Sequence, residues 1–352
     1  MRAPVSGTDK FSANRLSRVL VDPFAVAFME LREFQYPVRT ELGDVEERFK
    51  DALVSRLPLV RSVASHILAT RGKRYRPTLL LLSAKLNGGP SDRAVCAAAV
   101  VELIHTATLI HDDSIDKSEL RRGCQTVNSK WDDDVSIAMG DVLYSKAFYI
   151  LVKNQMYDVM DVLAETTHRM SVGEMQELER RNDVDVSEED YLTMIGEKTA
   201  SLISASCEIG AMLGESQDGM RTRFSKCGHA LGLAFQITDD VFDFVGRERE
   251  LGKNIGTDVG DGKYTLPLIA ALRNAGSKDR SRMKDILTSG PLMDGKWDEL
   301  LALMNENEGI EYSKRRALAY AAEAKGLLSP FEGSPYHLSL CSLVDYTVER
   351  RK

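Results

Sequence analysis

Apolar residues recur along this chain at helical steps. From Glu41 onward, the stretch ELGDVEERFKDALVSRL sets Leu42, Val45, Phe49, Leu53 and Leu57 three and four positions apart, the spacing of one helix face. Alternating apolar and polar runs bounded by hairpin turns are nearly absent, which argues against a sheet. Two segments are apolar on most of their circumference. The first, Ser91 to Asp116, opens on a capping serine and runs without glycine or proline, and the second spans Phe224 to Gly246. Helices of that kind must be buried on most sides. The pattern predicts a large all-α, single-domain helical bundle over residues 41–352, with a central cavity where the two buried helices end. Residues 1–40 are of mixed character and are read as an N-terminal extension, a flexible arm or an extra helix; the stretch from Gly276 to Lys296 reads as looser.

Both buried helices end in an acidic cluster of the form DDxxD: Asp112, Asp113 and Asp116 in the first, Asp239, Asp240 and Asp243 in the second. The first and fifth positions of that pattern lie one turn apart on one helix face, about 6 Å along the axis. Like charges at that spacing repel, so packing gives no reason for them. Magnesium gives one, because it is commonly held by one or two carboxylates together with substrate phosphates. Cations accompany the acids: Lys73, Arg74 and Arg76 in GKRYRP, with Pro77 suited to the first turn of a helix, then Arg121 and Arg122, Lys198 beside Thr199, Lys253 and Lys263. His105 and His111 lie on different faces of the first buried helix, and His111 reads as a packed core histidine.

Composition sets limits on what this machinery does. Of 352 residues 43% are hydrophobic and 28% charged, ordinary for a globular protein with a large core. The net charge of -7 speaks against a nucleic-acid surface, so an anionic ligand would rely on local cations or metal. Five scattered cysteines form no CxxC pair, which suits a reducing cytoplasm, and the start of the chain lacks the apolar run of a signal peptide. A soluble, cytoplasmic protein that does not span the membrane is expected.

Taken in order, GKRYRP, ELIHTATLIHDDSIDKSELRRG, GEMQEL, EKTASL, FQITDDVFDFVG, GKNIGTDVGDGKYTLPL and the closing SPYHLSLCSLVDYTVERR resemble the motif set of the trans-prenyltransferases, the farnesyl, geranylgeranyl and longer polyprenyl diphosphate synthases. The resemblance covers about residues 41–352. It implies an isoprenoid-synthase bundle that forms a homodimer and joins an allylic diphosphate to isopentenyl diphosphate by ionisation, condensation and elimination. Asp112, Asp116 and Asp239 would hold three magnesium ions, with Asp113, Asp240 and Asp243 supporting them through waters. Arg121, Lys198 with its neighbour Thr199, and Lys253 would face the allylic diphosphate, with Gln236 and Lys263 nearby. Gly72, Lys73, Arg76, His105 and Arg122 would bind isopentenyl diphosphate. Ala107 and Thr108, one turn before the first cluster, would set product length, and both are small. A long all-trans polyprenyl product, delivered to a membrane, is therefore expected; a bulky residue deeper in the tunnel would instead give a farnesyl or geranylgeranyl diphosphate synthase. A terpene cyclase would lack GKxxRP and the second DDxxD, and a regulatory subunit would lose one cluster. Two departures from the family pattern stand out: Cys124-Gln125-Thr126, where proline usually holds the middle position, and the acidic run Asp132-Asp133-Asp134.

Overall fold

The computed structural model describes residues 31–70, 72–89, 91–214, 219–245, 256–290 and 295–349. Its longer helices are α1 (Arg39–Ala52), α2 (Pro58–Ala69), α3 (Tyr75–Leu86), α4 (Asp92–Ile115), α5 (Asp133–Lys153), α6 (Tyr157–Glu179), α7 (Glu188–Ile195), α8 (Ser201–Leu213), α9 (Met220–Val245), α10 (Leu266–Asn274), α11 (Ser277–Thr288), α12 (Lys296–Glu306), α13 (Gly309–Leu328) and α14 (Pro335–Glu349). Among the described residues the one sheet is a two-stranded hairpin, β1 (Leu120–Arg121) against β2 (Cys124–Gln125). Its turn, Arg122–Gly123, has both residues at positive φ (53° and 76°), the backbone that matches the twist of a two-residue hairpin.

The two apolar segments form the centre of the bundle, as their composition requires. The Ser91 side chain accepts the Ala94 N–H at 3.3 Å and starts α4, which lies between α1, α3 and α5. Helix α9 packs between α8 and α13, and α8 in turn lies against α3. Close approach is made possible by glycine: a Cβ on Gly210 of α8 would stand 2.3 Å from the Leu80 carbonyl oxygen of α3. Helices α4 and α5 have the length and apolarity of a membrane span, yet α4 is largely wrapped by its neighbours. Helix α5 is less covered and presents Val142, Tyr149 and Val152 outward.

Three boundaries differ from the sequence pattern. Helix α1 stops at Ala52, and Leu57, read as part of its stripe, is 65% exposed. Leu57 precedes Pro58, whose ring drives the preceding residue to the extended backbone seen there (φ -75°, ψ 123°). Within the region read as an extension, Phe34 and Val38 are fully buried in the main core, and the Phe34 ring meets Tyr346 of α14 at 6.0 Å. The looser region holds α11, whose Met283 and Ile286 are buried in a satellite core.

Replacing Gly210 with alanine drives a methyl group into backbone, and overpacking of that kind costs about 1–3 kcal/mol. A urea unfolding midpoint lowered accordingly is the expected result.

Candidate active site

A cavity of about 1630 Å³ opens at the ends of the two buried helices. Helix α4 gives it one face, Glu102, His105, Thr108, Leu109 and Asp112, the stripe that helical periodicity places together. Helix α9 gives Phe235, Gln236 and Asp239. The two acidic clusters thus reach a single cavity through Asp112 and Asp239, in company with Lys73, Arg76, Arg121, Arg122, Lys198 and Thr199.

The remaining aspartates are engaged by protein groups. Asp113 turns inward and is only 5% exposed, and Arg121 clasps it with Nε at 2.8 Å and Nη2 at 2.7 Å. Asp240, also buried, accepts the Tyr191 hydroxyl at 2.6 Å and the Gln236 amide at 2.8 Å, while Gln236 accepts the Thr199 hydroxyl at 2.9 Å. Asp116 takes Arg181 at 2.6 Å and Lys263 at 2.8 Å. Asp243 accepts the Asp258 N–H at 3.2 Å. Direct metal contact therefore does not suit Asp113 or Asp240, because a DDxxD helix can turn only its first and fifth positions to one side. The place expected for Ala107 does need correction. Ala107 is fully buried in the core and does not line the cavity, whereas Thr108, a full turn before Asp112, does. Lys253 lies outside the described residues.

Lys198 and Thr199 sit in a single π turn, Gly196–Ala200, between α7 and α8. Helix α6 lies hard against it: a Cβ on Gly173 would meet the Lys198 backbone nitrogen at 2.4 Å. The contact puts Glu174 and Glu177 beside Lys198, at 2.6 Å and 2.8 Å, and Glu177 also reaches Lys263 at 3.1 Å. Burial would lower the Lys198 pKa, but Glu177, Asp112 and Glu174 together raise it. Burial works the other way at Asp112, pushing it up to about 7 against the pull of Lys198. Among the described residues no three acidic, histidine or cysteine side chains form a closed metal cage. The carboxylates present fit a hard ion that completes its shell on a ligand's oxygens.

Opposite the acids lies a pocket of guanidinium groups. Gly72 has no side chain where Arg74, Arg122 and Glu102 converge; a Cβ there would stand 2.9 Å from Arg74 Nη1 and 3.2 Å from Glu102. Arg74 pairs with Glu46 and, at 2.6 Å, with Glu102. Arg76 Nη1 donates to His105 Nε2 at 3.0 Å. Burial, then Arg76, Arg122 and Arg121, push His105 well below its ordinary 6.5, so it is a neutral imidazole accepting from arginine. Lys73 lies over the Tyr346 ring of α14, 5.9 Å from its centre. His111 packs its ring on Gly140 and stacks with Tyr144, consistent with a packing role at the cavity rim.

Glu102, Glu174, Glu177, Arg181, Tyr191 and Tyr144 escaped the sequence reading as site residues. Glu174 and Glu177 lie three apart in the quoted GEMQEL, one helix face, which was a usable signal. Arg181 carried none, since its partner lies far away in sequence.

A helical bundle whose interior joins opposed carboxylates, a cationic pocket and an apolar wall defines an enzyme for substrates with a diphosphate head and a hydrocarbon tail. Comparison with known proteins gives the same class. The polyprenyl synthetase family matches residues 57–304, and the chain belongs to that family of trans-prenyl diphosphate synthases. It is 31% identical to an octaprenyl diphosphate synthase of Haemophilus influenzae, covering 92% of this chain and 98% of that protein. It is 36% identical to a short chain isoprenyl diphosphate synthase of Methanothermobacter thermautotrophicus, over 88% and 96%. A crystal structure of polyprenyl synthase from Caulobacter crescentus, complexed with calcium and isoprenyl diphosphate, superposes with a TM-score of 0.86 at 31% identity, over 92% and 98%.

Below about pH 6.5 the unfolded chain protonates His105 while the folded chain does not, so its contribution is a loss of stability as pH falls, up to about 1.4 kcal/mol per pH unit. His105→Asn is expected to flatten that slope in urea titrations compared between pH 7.5 and about pH 5.5.

Proposed function

We propose that the chain makes a long all-trans polyprenyl diphosphate from an allylic diphosphate and isopentenyl diphosphate, with Asp112, Asp116 and Asp239 holding magnesium, three ions per site. The observation that carries this reading is the meeting of Asp112 and Asp239, from helices far apart in sequence, in one cavity with Lys198. Bound magnesium would supply Lewis-acid stabilisation of the negative charge that develops on the leaving diphosphate.

Everything else falls to the chain's own residues. Lys198 is held by Glu174 and Glu177 at the cavity wall, poised to meet a diphosphate oxygen, and Arg121 lines the same cavity. The fixed cations are already oriented, so stabilising the departing group requires little reorganisation. Lys73, Arg76 and Arg122, with neutral His105, form the pocket for the second diphosphate, and this pocket positions its double bond beside the allylic carbon. No general base stands out among these groups, and the released diphosphate is the proposed acceptor of the final proton.

Length control is assigned to Thr108 on α4 and to Tyr144 and Phe148 on α5, all lining the cavity. The small Thr108 favours a long product. Tyr144 and Phe148, one turn apart, are the bulky groups that would favour geranylgeranyl diphosphate instead. The test is incubation with farnesyl diphosphate, isopentenyl diphosphate and magnesium, followed by separation of products by length. Products longer than geranylgeranyl are expected; Asp112→Asn should lower turnover roughly 100-fold, the scale of losing one charge-stabilising group, and Thr108→Tyr should shorten the product. Activity that survives a chelator would defeat the metal assignment.

We also propose a homodimer formed through the outer face of α5, where Val142, Tyr149 and Val152 are exposed. Tyr149→Asp should shift the sedimentation coefficient from dimer to monomer.

A further inference from the structure

We propose that Arg181 makes the binding of metal and diphosphate interdependent: it occupies Asp116 until a diphosphate draws its guanidinium away, and is thus a positioning residue acting through Asp116. The inference rests on the assignment of Asp116 to the metal. Both oxygens of Asp116 are in use, Oδ1 by Arg181 Nη2 at 2.6 Å and Oδ2 by Lys263 Nζ at 2.8 Å. Lys263 is shared between Asp116 and Glu177, so Arg181 supplies the positive charge that most directly opposes a divalent cation arriving at Asp116, and at 2.6 Å that opposition is substantial. A diphosphate reverses the sign. It offers several anionic oxygens, and guanidinium takes phosphate in a planar fork.

Arg181 is also incompletely satisfied as it stands. Its Nε is buried and lacks a hydrogen-bond partner, a donor left over by the contact with Asp116. The cations that line the cavity do not compete in this way: Arg121 is committed to the inward Asp113, and Lys198 to Glu174 and Glu177.

The backbone links the two cations that hold Asp116. Asn182 N–H donates to the Gly262 carbonyl at 2.8 Å, next in sequence to Arg181 and Lys263 respectively. Gly262, at φ +75°, lies so close to Asn182 that a Cβ would come within 2.4 Å of its side-chain oxygen. The same turn reaches the second acidic cluster, where Asp258 N–H donates to Asp243. Displacement of Arg181 is thereby transmitted toward Lys263 and toward both carboxylate groups.

Calorimetric titration of the full-length protein with manganese, with and without inorganic diphosphate, tests the coupling. Wild type should bind the metal weakly alone and much more tightly with diphosphate. Arg181→Gln should tighten binding of metal alone by about tenfold, the order expected for removing one nearby charge, and shrink the enhancement by diphosphate to the same extent. Arg181→Lys, which keeps the charge, should resemble wild type. Arg181→Met, which keeps the apolar stem, serves as a second neutral variant should Arg181→Gln fail to fold. Metal affinity that stays unchanged or weakens in the neutral variants, with Asp116→Asn losing affinity, overturns the inference; Asp116→Asn binding metal like wild type overturns the assignment of Asp116 itself.

Discussion

Charge cannot be left uncompensated inside an apolar bundle, and that constraint organises the cavity. Carboxylates brought in by α4, α6 and α9 are met by cations or hydroxyls from other parts of the chain: Asp113 by Arg121, Asp116 by Arg181 and Lys263, Glu174 and Glu177 by Lys198, Asp240 by Tyr191. These pairings do more than stabilise. They hold cations at fixed positions at the cavity wall, so the site faces a diphosphate with its positive groups already in place. Burial opposes the charge of Asp112, pushing it up to about 7 even with Lys198 nearby. Its environment favours a ligand that brings concentrated positive charge.

The cationic side of the cavity is built from unusual backbone. Arg74, Lys117 and Arg122 all have φ near +50° without being glycine, a conformation that costs about 1–2 kcal/mol per residue. All three line the cavity. Strained residues of this kind persist where surrounding structure holds them, here the Glu46 and Glu102 pairs of Arg74 and the hairpin of Arg122. The left-handed turn lets consecutive cations diverge, so that Arg121 reaches Asp113 while Arg122 opens to the opposite pocket.

Much of this was legible in the chain itself. Two long apolar runs, the capping Ser91 and the paired acidic clusters specify helices that must be buried and must end at a polar mouth. The motif order added the cations. What the sequence could not convey is which side of a helix a neighbour covers. Ala107 and Thr108 are equally small and adjacent, yet only Thr108 turns to the cavity, because α4 is packed on its other side. Asp113 and Asp240 look equivalent to their neighbours in the motif and are instead inward-facing anchors. Partners across the fold, such as Arg181 for Asp116 or Tyr191 for Asp240, leave no periodic trace, since their proximity is created by tertiary packing. The exposed apolar face of α5 was hidden for the same reason: composition does not reveal which apolar surface remains uncovered.

The π turn at Gly196–Ala200 carries an evolutionary consequence. It accommodates one residue more than a regular helix would, and it is clamped on its outer side by the backbone approach at Gly173. Losing a single amino acid from this stretch would restore ordinary winding and rotate everything on one side by about 100°, swinging the ammonium of Lys198 out of the chamber. Lineages descending from this protein should therefore tolerate substitutions around EKTASL far more readily than changes in its length.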